Sequence, residues 1–250
     1  MFHQVLSIVS SAQLSKIYQK HSNFDLRRLL AGTENFFDFL SSECSSNPSI
    51  LLNAVECLPM PAELRAQIGK IINSIESQSL VFGFLFGKGK LITLRRPQKY
   101  SIHASDTLVI SNMILSSNSF QSGESWTPIC LPKFNDQAFH YAYLTYLRPE
   151  VCLVLVSQSK DSFFEMSAIK TQIAKEMDPV ILNHLEKFVF KAKYSVGTLI
   201  IVNVVDLNVS DVKHFIYKSR TSAQCTWPNF PFANPRNPNE KKETKRYSFS

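Results

Sequence analysis

Ser125–Ser157, SWTPICLPKFNDQAFHYAYLTYLRPEVCLVLVS, is the stretch on which the reading of the whole chain turns. Three apolar runs follow one another in it, Trp126–Leu131, Ala138–Leu147 and Val151–Val156. The breaks between them, Pro132-Lys133-Phe134-Asn135-Asp136 and Arg148-Pro149-Glu150, are turn chemistry through which no helix continues. The stretch therefore predicts three antiparallel strands joined as a meander. In the middle strand Phe139, Tyr141, Tyr143, Thr145 and Leu147 share one face, and Ala138, Ala142, Leu144 and Tyr146 the other, so little but His140 marks a wet side. A strand apolar on both faces belongs inside a sheet that is covered from both sides.

Upstream, Leu80–Phe86 and Leu91–Leu94 flank Gly87-Lys88-Gly89-Lys90, a glycine-bearing turn able to take positive φ, and so predict a β-hairpin that Pro97 ends. Ala104-Ser105-Asp106 supplies a cap for a helix near Thr107–Ser116, and a polar loop, Ser116–Ser125, leads into the meander. Downstream, Asp161 caps a helix over Ser162–Met177, and Asp178-Pro179 opens another across Val180–Lys187. Residues 80–187 thus order as ββαβββαα, an α+β module with a five-stranded antiparallel sheet.

The first eighty residues read as helices alone. Val5, Leu6, Ile8, Val9, Ala12, Leu14, Ile17 and Tyr18 recur at helical spacing from Met1 to Tyr18. A second helix spans roughly Asp25–Cys44, with Gly32 as a weak point or kink. Asn47-Pro48 starts a third over Ser49–Glu56, and Pro59-Met60-Pro61 separates it from a fourth, Ala62–Ile75. Beyond the module, Thr198–Val204 is a short β-branched run. Pro228–Ser250 carries four prolines and a basic run from Lys241 to Arg246, the composition of a disordered tail.

With 44% hydrophobic residues the chain has ample core material, and its formal charge of +7 favours acidic partners such as anionic lipid or nucleic acid. Five cysteines, Cys44, Cys57, Cys130, Cys152 and Cys225, form no CxxC pair, which points to a reducing compartment. No secretory leader pattern opens the chain and no apolar run approaches the roughly 20 residues a membrane span needs. A cytoplasmic location is expected. Phe86-Gly87-Lys88-Gly89-Lys90 lacks the spacing of a phosphate loop and is followed by a strand. The six histidines show no metal-ligand spacing, no Gly-x-Ser-x-Gly elbow exists, and Asp161 with Glu165 is a helix start meeting its own dipole. No catalytic residue, metal or cofactor is implied, so the chain is read as acting without covalent chemistry of its own.

Two basic features remain. Lys88, Lys90, Arg95, Arg96 and Lys99 sit on or beside the hairpin, which is expected to hold at least four of them near one end of the sheet. That is either a lipid-headgroup patch or an edge strand guarded by lysine against aggregation, the plainer reading. Lys213–Arg220 interleaves bases with aromatics, as a nucleic-acid binder or simply an amphipathic segment packed on its neighbour would.

Longer motifs carry more. Asn23-Phe24-Asp25-Leu26-Arg27-Arg28-Leu29-Leu30-Ala31-Gly32, Cys57-Leu58-Pro59, Tyr100-Ser101-Ile102-His103-Ala104-Ser105-Asp106, Trp126-Thr127-Pro128-Ile129-Cys130-Leu131-Pro132-Lys133-Phe134-Asn135 and His214-Phe215-Ile216-Tyr217-Lys218-Ser219 stand in the same order as in the SAND family, the Mon subunit of the Mon–Ccz complex. The chain resembles that family over about residues 3–227. The resemblance implies longin modules, each a five-stranded antiparallel sheet with flanking helices. It makes residues 79–190 a complete second longin module and residues 1–78 the closing helices of a first whose sheet is missing here. Residues 191–227 become a connection toward an absent third module, with Gly197–Val204 as an insertion and 228–250 as a basic, Pro-rich tail.

The resemblance also implies a role in endosome-to-lysosome or vacuole and secretory traffic. The family works as part of a guanine-nucleotide exchange factor for a late-endosomal Rab GTPase, in a heterodimer with a Ccz-type longin subunit, peripherally on phosphoinositide-bearing endosome or vacuole membranes. No nucleic-acid partner is implied. Because the family's exchange surface lies chiefly on the first module's sheet, no exchange residues carry over to this chain, whose expected role is that of a scaffold.

Overall fold

Ser10 divides what the apolar spacing predicts as one N-terminal helix. It lies in extended backbone and its hydroxyl accepts from the Gln13 amide, so α1 (Phe2–Ile8) ends and α2 (Ser11–Lys20) starts afresh. The computed structural model describes residues 2–116, 123–194, 215–219 and 224–227. The runs at Thr198–Val204 and Pro228–Ser250, and Lys213, His214 and Arg220, lie outside them. The helix expected over Asp25–Cys44 is likewise two pieces. A 3₁₀ turn, Leu26–Leu29, is capped by the Asp25 carboxylate, and Gly32, at φ 84°, turns the chain into α3 (Glu34–Ser46).

The third helix is shorter than predicted and the segment after it is not helical. Pro48 at its first position opens α4 (Pro48–Leu52), and Asn53 at φ 48° closes it. Val55–Glu56 is then a strand, β1, followed by α5 (Ala62–Asn73). The first eighty residues are therefore not helices alone.

From Leu80 the predicted order is the observed one. Strands β2 (Leu80–Gly87) and β3 (Lys90–Arg95) form the hairpin, and α6 (Ala104–Ser116) follows. The meander is β4 (Glu124–Leu131), β5 (Asn135–Arg148) and β6 (Val151–Ser157), with α7 (Phe163–Glu176) and α8 (Pro179–Tyr194) after it. The strands make one antiparallel sheet in the order β3-β2-β6-β5-β4. Asp161 does not cap α7, because Ser162 holds that position. Asp178 does cap α8, accepting from the Val180 amide at 3.1 Å.

Period-two alternation splits the core in two. Leu85, Tyr143, Leu153 and Leu155 face Ile68 and Ile72 of α5, Met166 and Ile173 of α7, and Leu185 and Val189 of α8. Phe82, Phe84, Phe86, Ala142, Leu144, Val154 and Val156 face the other way, onto α6. Three helices cover one face and a single helix the other. That single helix buries ten of its thirteen residues, so it is covered on both sides, the sheet beneath it and an N-terminal layer above. Within the layer α1 lies against β4 and α6, α2 against β5 and α3 against α6. His140, expected to mark a wet side, is instead buried at 2% exposure against the Phe134 ring, because this layer takes the place of solvent.

A small second sheet flanks the first. Strand β7 (Tyr217–Lys218) pairs with β8 (Gln224–Thr226), and β8 runs parallel to β1. Cys57, next in chain after β1, bridges to Leu91 of β3.

The hairpin turn is tightly held. Lys88 and Gly89 both take positive φ, 51° and 73°, as a two-residue type I′ turn requires. A Cβ on Gly89 would come within 2.5 Å of Leu115, whereas Gly123, at φ 85°, has open space around it. Gly89→Ala should therefore cost about 2–3 kcal/mol of stability, strain plus overpacking, and Gly123→Ala only about 1 kcal/mol of strain. Urea midpoints of the two variants test this, and equal losses would show that α6 does not press on the turn.

Candidate interaction site

Two of the sequence blocks quoted above, Tyr100–Asp106 and Trp126–Asn135, meet at the start of α6. Asp106 is not the helix cap the sequence suggests but sits in the first turn, fully buried. Its carboxylate accepts the backbone N–H groups of Lys133 and Phe134 at 3.0 and 2.8 Å, and so fastens the β4–β5 turn to the helix. The local cap is made by His103, whose Nδ1 accepts from the Ser105 amide at 3.1 Å. Phe134, swung inward by the same turn, packs edge-on to Phe82 at 4.9 Å and Tyr100 at 5.4 Å. Burial pushes the Asp106 carboxyl above its ordinary range, and the two backbone donors, with His103 and His3 nearby, oppose that push.

The other end of α6 holds the hairpin turn. Ser111 donates to the Gly89 carbonyl at 2.7 Å, and the Lys88 amide donates to the Glu150 carbonyl at 2.8 Å. This rigid tip bears directly on the basic residues singled out in the sequence. Lys88 is half-buried there, and Lys90 is ion-paired with Glu56 of β1, both side chains largely covered. Arg95 lies at the far end of the strand, where it donates to the Ile75 carbonyl at 2.8 Å. Arg96 and Lys99 are exposed, and Lys99 stands 5.5 Å from the centre of the Tyr100 ring. Five residues of extended strand span about 17 Å, so the five bases form two groups and not one patch at one end of the sheet.

The outer edge of β3 is not open. The Leu58 amide donates to the Leu91 carbonyl at 2.9 Å, and the Arg65 guanidinium reaches the carbonyls of Leu58 and Ile92. Lys218 closes the annexed sheet onto the Leu52 carbonyl. The Cys57-Leu58-Pro59 block and the described part of the His214–Ser219 block thus meet along one edge. Tyr217 and Lys218 are an exposed edge strand, neither a helix nor a buried amphipathic face. On the opposite side, Pro128 interrupts β4, the other edge strand, in the way that blunts an edge against further pairing.

Between the N-terminal layer and the β4–β5 side of the module runs a groove of about 700 Å³. Ile8, Phe36, Val109, Met113, Ile129 and Phe139 make most of its wall, with hydroxyls from Ser7, Thr33 and Thr127 among others and, among the described residues, no acid or basic side chain. Four cysteines are poor nucleophiles, because burial raises their thiols to about 11 at Cys57 and Cys130 and about 12 at Cys152 and Cys225. Among the described residues no group of three or more His, Cys, Asp or Glu side chains is placed to hold a metal ion, and no helix is long and apolar enough to cross a membrane. Arg65 and Asn112 escaped the sequence reading, in which Asp106 is only a cap. The available signal was the run of polar side chains, Ser105, Asp106, Thr107, Ser111 and Asn112, inside an otherwise apolar helix.

A sheet ordered β3-β2-β6-β5-β4, with three helices on one face and one on the other, defines a longin-type α+β module. The sequence pattern described as the second longin domain of FUZ, MON1 and HPS1 matches residues 78–175. Over 230 residues, 91% of this chain, it is 36% identical to chicken (Gallus gallus) vacuolar fusion protein MON1 homolog A, covering 41% of that protein. It is 36% identical over 232 residues to the vacuolar fusion protein MON1 of Yarrowia lipolytica, again covering 41%, and 36% identical over 234 residues to Protein SAND of Takifugu rubripes, covering 44%. The chain belongs to this SAND/MON1 family of longin proteins, and spans about two fifths of the length of the curated relatives it matches.

Buried His140 and half-buried His3 give a pH signature. Burial holds His140 below its ordinary range, and burial with Lys133 nearby does the same for His3. Each is taken up by the unfolded chain as a proton acceptor before the folded one, so their contribution is present above about pH 6.5 and is lost as pH falls through that value. Asp106 has the opposite sign, since the folded state takes its proton more readily than the unfolded. Urea midpoints should therefore fall between about pH 6.5 and 5, and His140→Gln should flatten that limb. An unchanged limb in the variant would place the acid sensitivity elsewhere.

Proposed function

We propose that this chain serves membrane traffic toward the vacuole or lysosome as a scaffolding part of a subunit of a Rab guanine-nucleotide exchange complex. The observation that carries the reading is its kinship, over 230 residues, with vacuolar fusion proteins built on the longin fold. Nucleotide exchange fits a site without a reactive constellation. An exchange factor works by binding the nucleotide-free GTPase more tightly than the loaded one, which needs shaped surfaces and not covalent chemistry.

In this reading the partner is a Ccz-type longin subunit, the GTPase is a late-endosomal Rab, and residues 1–78 are the closing helices of a preceding longin module. Two features support the last point. No residue of α2 is buried although it is amphipathic, and Phe36, Phe37 and Phe39 of α3 remain half-covered, so the layer has apolar surface left for a further sheet. Attachment to phosphoinositide membranes is peripheral. On this face of the module it falls to Arg96 and Lys99, the two bases of the original five that stand exposed.

Co-purification with the cognate Ccz subunit, followed by nucleotide release from the late-endosomal Rab, tests the proposal. A stable complex that releases no nucleotide is expected, because exchange is assigned to a sheet outside this chain. Failure to bind Ccz, with the chain folded, would overturn the scaffold reading, and release by the complex would overturn the placement of exchange.

A further inference from the structure

Four buried polar residues of α6 find protein partners. Ser105 donates to Asn53 Oδ1 at 2.8 Å, Asp106 accepts from the β4–β5 turn, Thr107 turns back to the His103 carbonyl, and Ser111 donates to Gly89. Asn112, on the same helix, is 5% exposed. It lines a cavity of about 70 Å³ at the junction of α1, α3, α4 and α6, together with His3, Gln4, Asn53 and Ser105. Gln4 is 8% exposed and its Oε1 has no partner, and the buried Nδ1 of His3 has none either. Two unpartnered polar atoms of α1 and the Asn112 side chain of α6 thus line one small space.

Such groups are rarely left unpaired in a folded protein, and a water in a polar cavity makes two to four hydrogen bonds. At roughly 30 Å³ per molecule the cavity holds about two waters. We propose that it is a hydration site whose ordered waters bridge Gln4 Oε1 and His3 Nδ1 on α1 to the Asn112 side chain on α6. The lining contains no carboxylate, which disfavours a cation, and an apolar guest would leave Gln4 Oε1 and His3 Nδ1 without partners. The N-terminal layer is therefore joined to the module here partly through water, beside the apolar contacts of Leu40, Ile50 and Leu108.

Two measurements on the whole chain test the site. In the ¹⁵N-labelled protein, water should show the cross-relaxation of slowly exchanging molecules with the side-chain amides of Gln4 and Asn112, and its absence from both would overturn the proposal without any variant. In a double-mutant cycle, Gln4→Leu and Asn112→Leu should each lower the folding equilibrium constant about tenfold, and the double variant also about tenfold, since either change already breaks the bridge. A hundredfold loss in the double variant, or singles that gain stability, would mean that the two side chains act independently across a dry cavity.

Discussion

A helix that is buried on every side must satisfy its polar side chains inside the protein, and α6 is such a helix. Its serines, its aspartate and its threonine find acceptors or donors, and most of these belong to different neighbours: Asn53 after α4, the Lys133-Phe134 turn and the Gly89 turn. An unpaired buried polar group costs about 1–3 kcal/mol, so each bond constrains where its neighbour can sit. The Asp106 carboxylate fixes the β4–β5 turn, the turn aims Phe134, and Phe134 closes one end of the phenylalanine row on β2. Ser111 fixes the hairpin at the other end. The relative placement of meander, hairpin and N-terminal layer follows from one helix's hydrogen bonds as much as from the apolar surface it covers.

The apolar surface nonetheless sets the architecture. All residues of β2 and β6 are buried, so the sheet needs cover on both faces. Helices α5, α7 and α8 supply it on one. On the other, α6 is too narrow to reach β4 and the long β5, and α1 and α2 complete the cover. Both outer edges of the sheet are managed as well, β3 by the Cys57 bridge and Arg65, and β4 by Pro128. Edge pairing is thus already in use within the chain. Among the described residues, helix faces and the groove beside α1 remain open.

Residues 80–194 were legible in the sequence because each signal there is local: the period-two runs, the Lys88-Gly89 turn, Pro149 and Asp178-Pro179. The N-terminal divisions were harder. Ser10 and Gly32 interrupt apolar spacings that read as continuous, and in both cases a backbone requirement, a cap or a positive φ, overrides the periodicity. Val55-Glu56 could not be read as a strand because its partner, β8, lies about 170 residues away in the chain. The basic residues show the same limit. Sequence proximity grouped Lys88, Lys90, Arg95, Arg96 and Lys99, but a strand separates its own ends, and Glu56 and the Ile75 carbonyl, neither predictable as neighbours, engage two of the five.

The central claim is that the doubly covered sheet is the stable unit, and that the N-terminal layer docks on it across α6 through a joint that is partly polar. Native-state hydrogen exchange under increasing denaturant measures this directly. Amides of β2 and β6 should exchange only with global unfolding, while those of α1 and α2 exchange earlier through a separate opening. Equal protection and a single common opening for α1, α2 and β6 would contradict it, and would make the layer an inseparable part of the module's core.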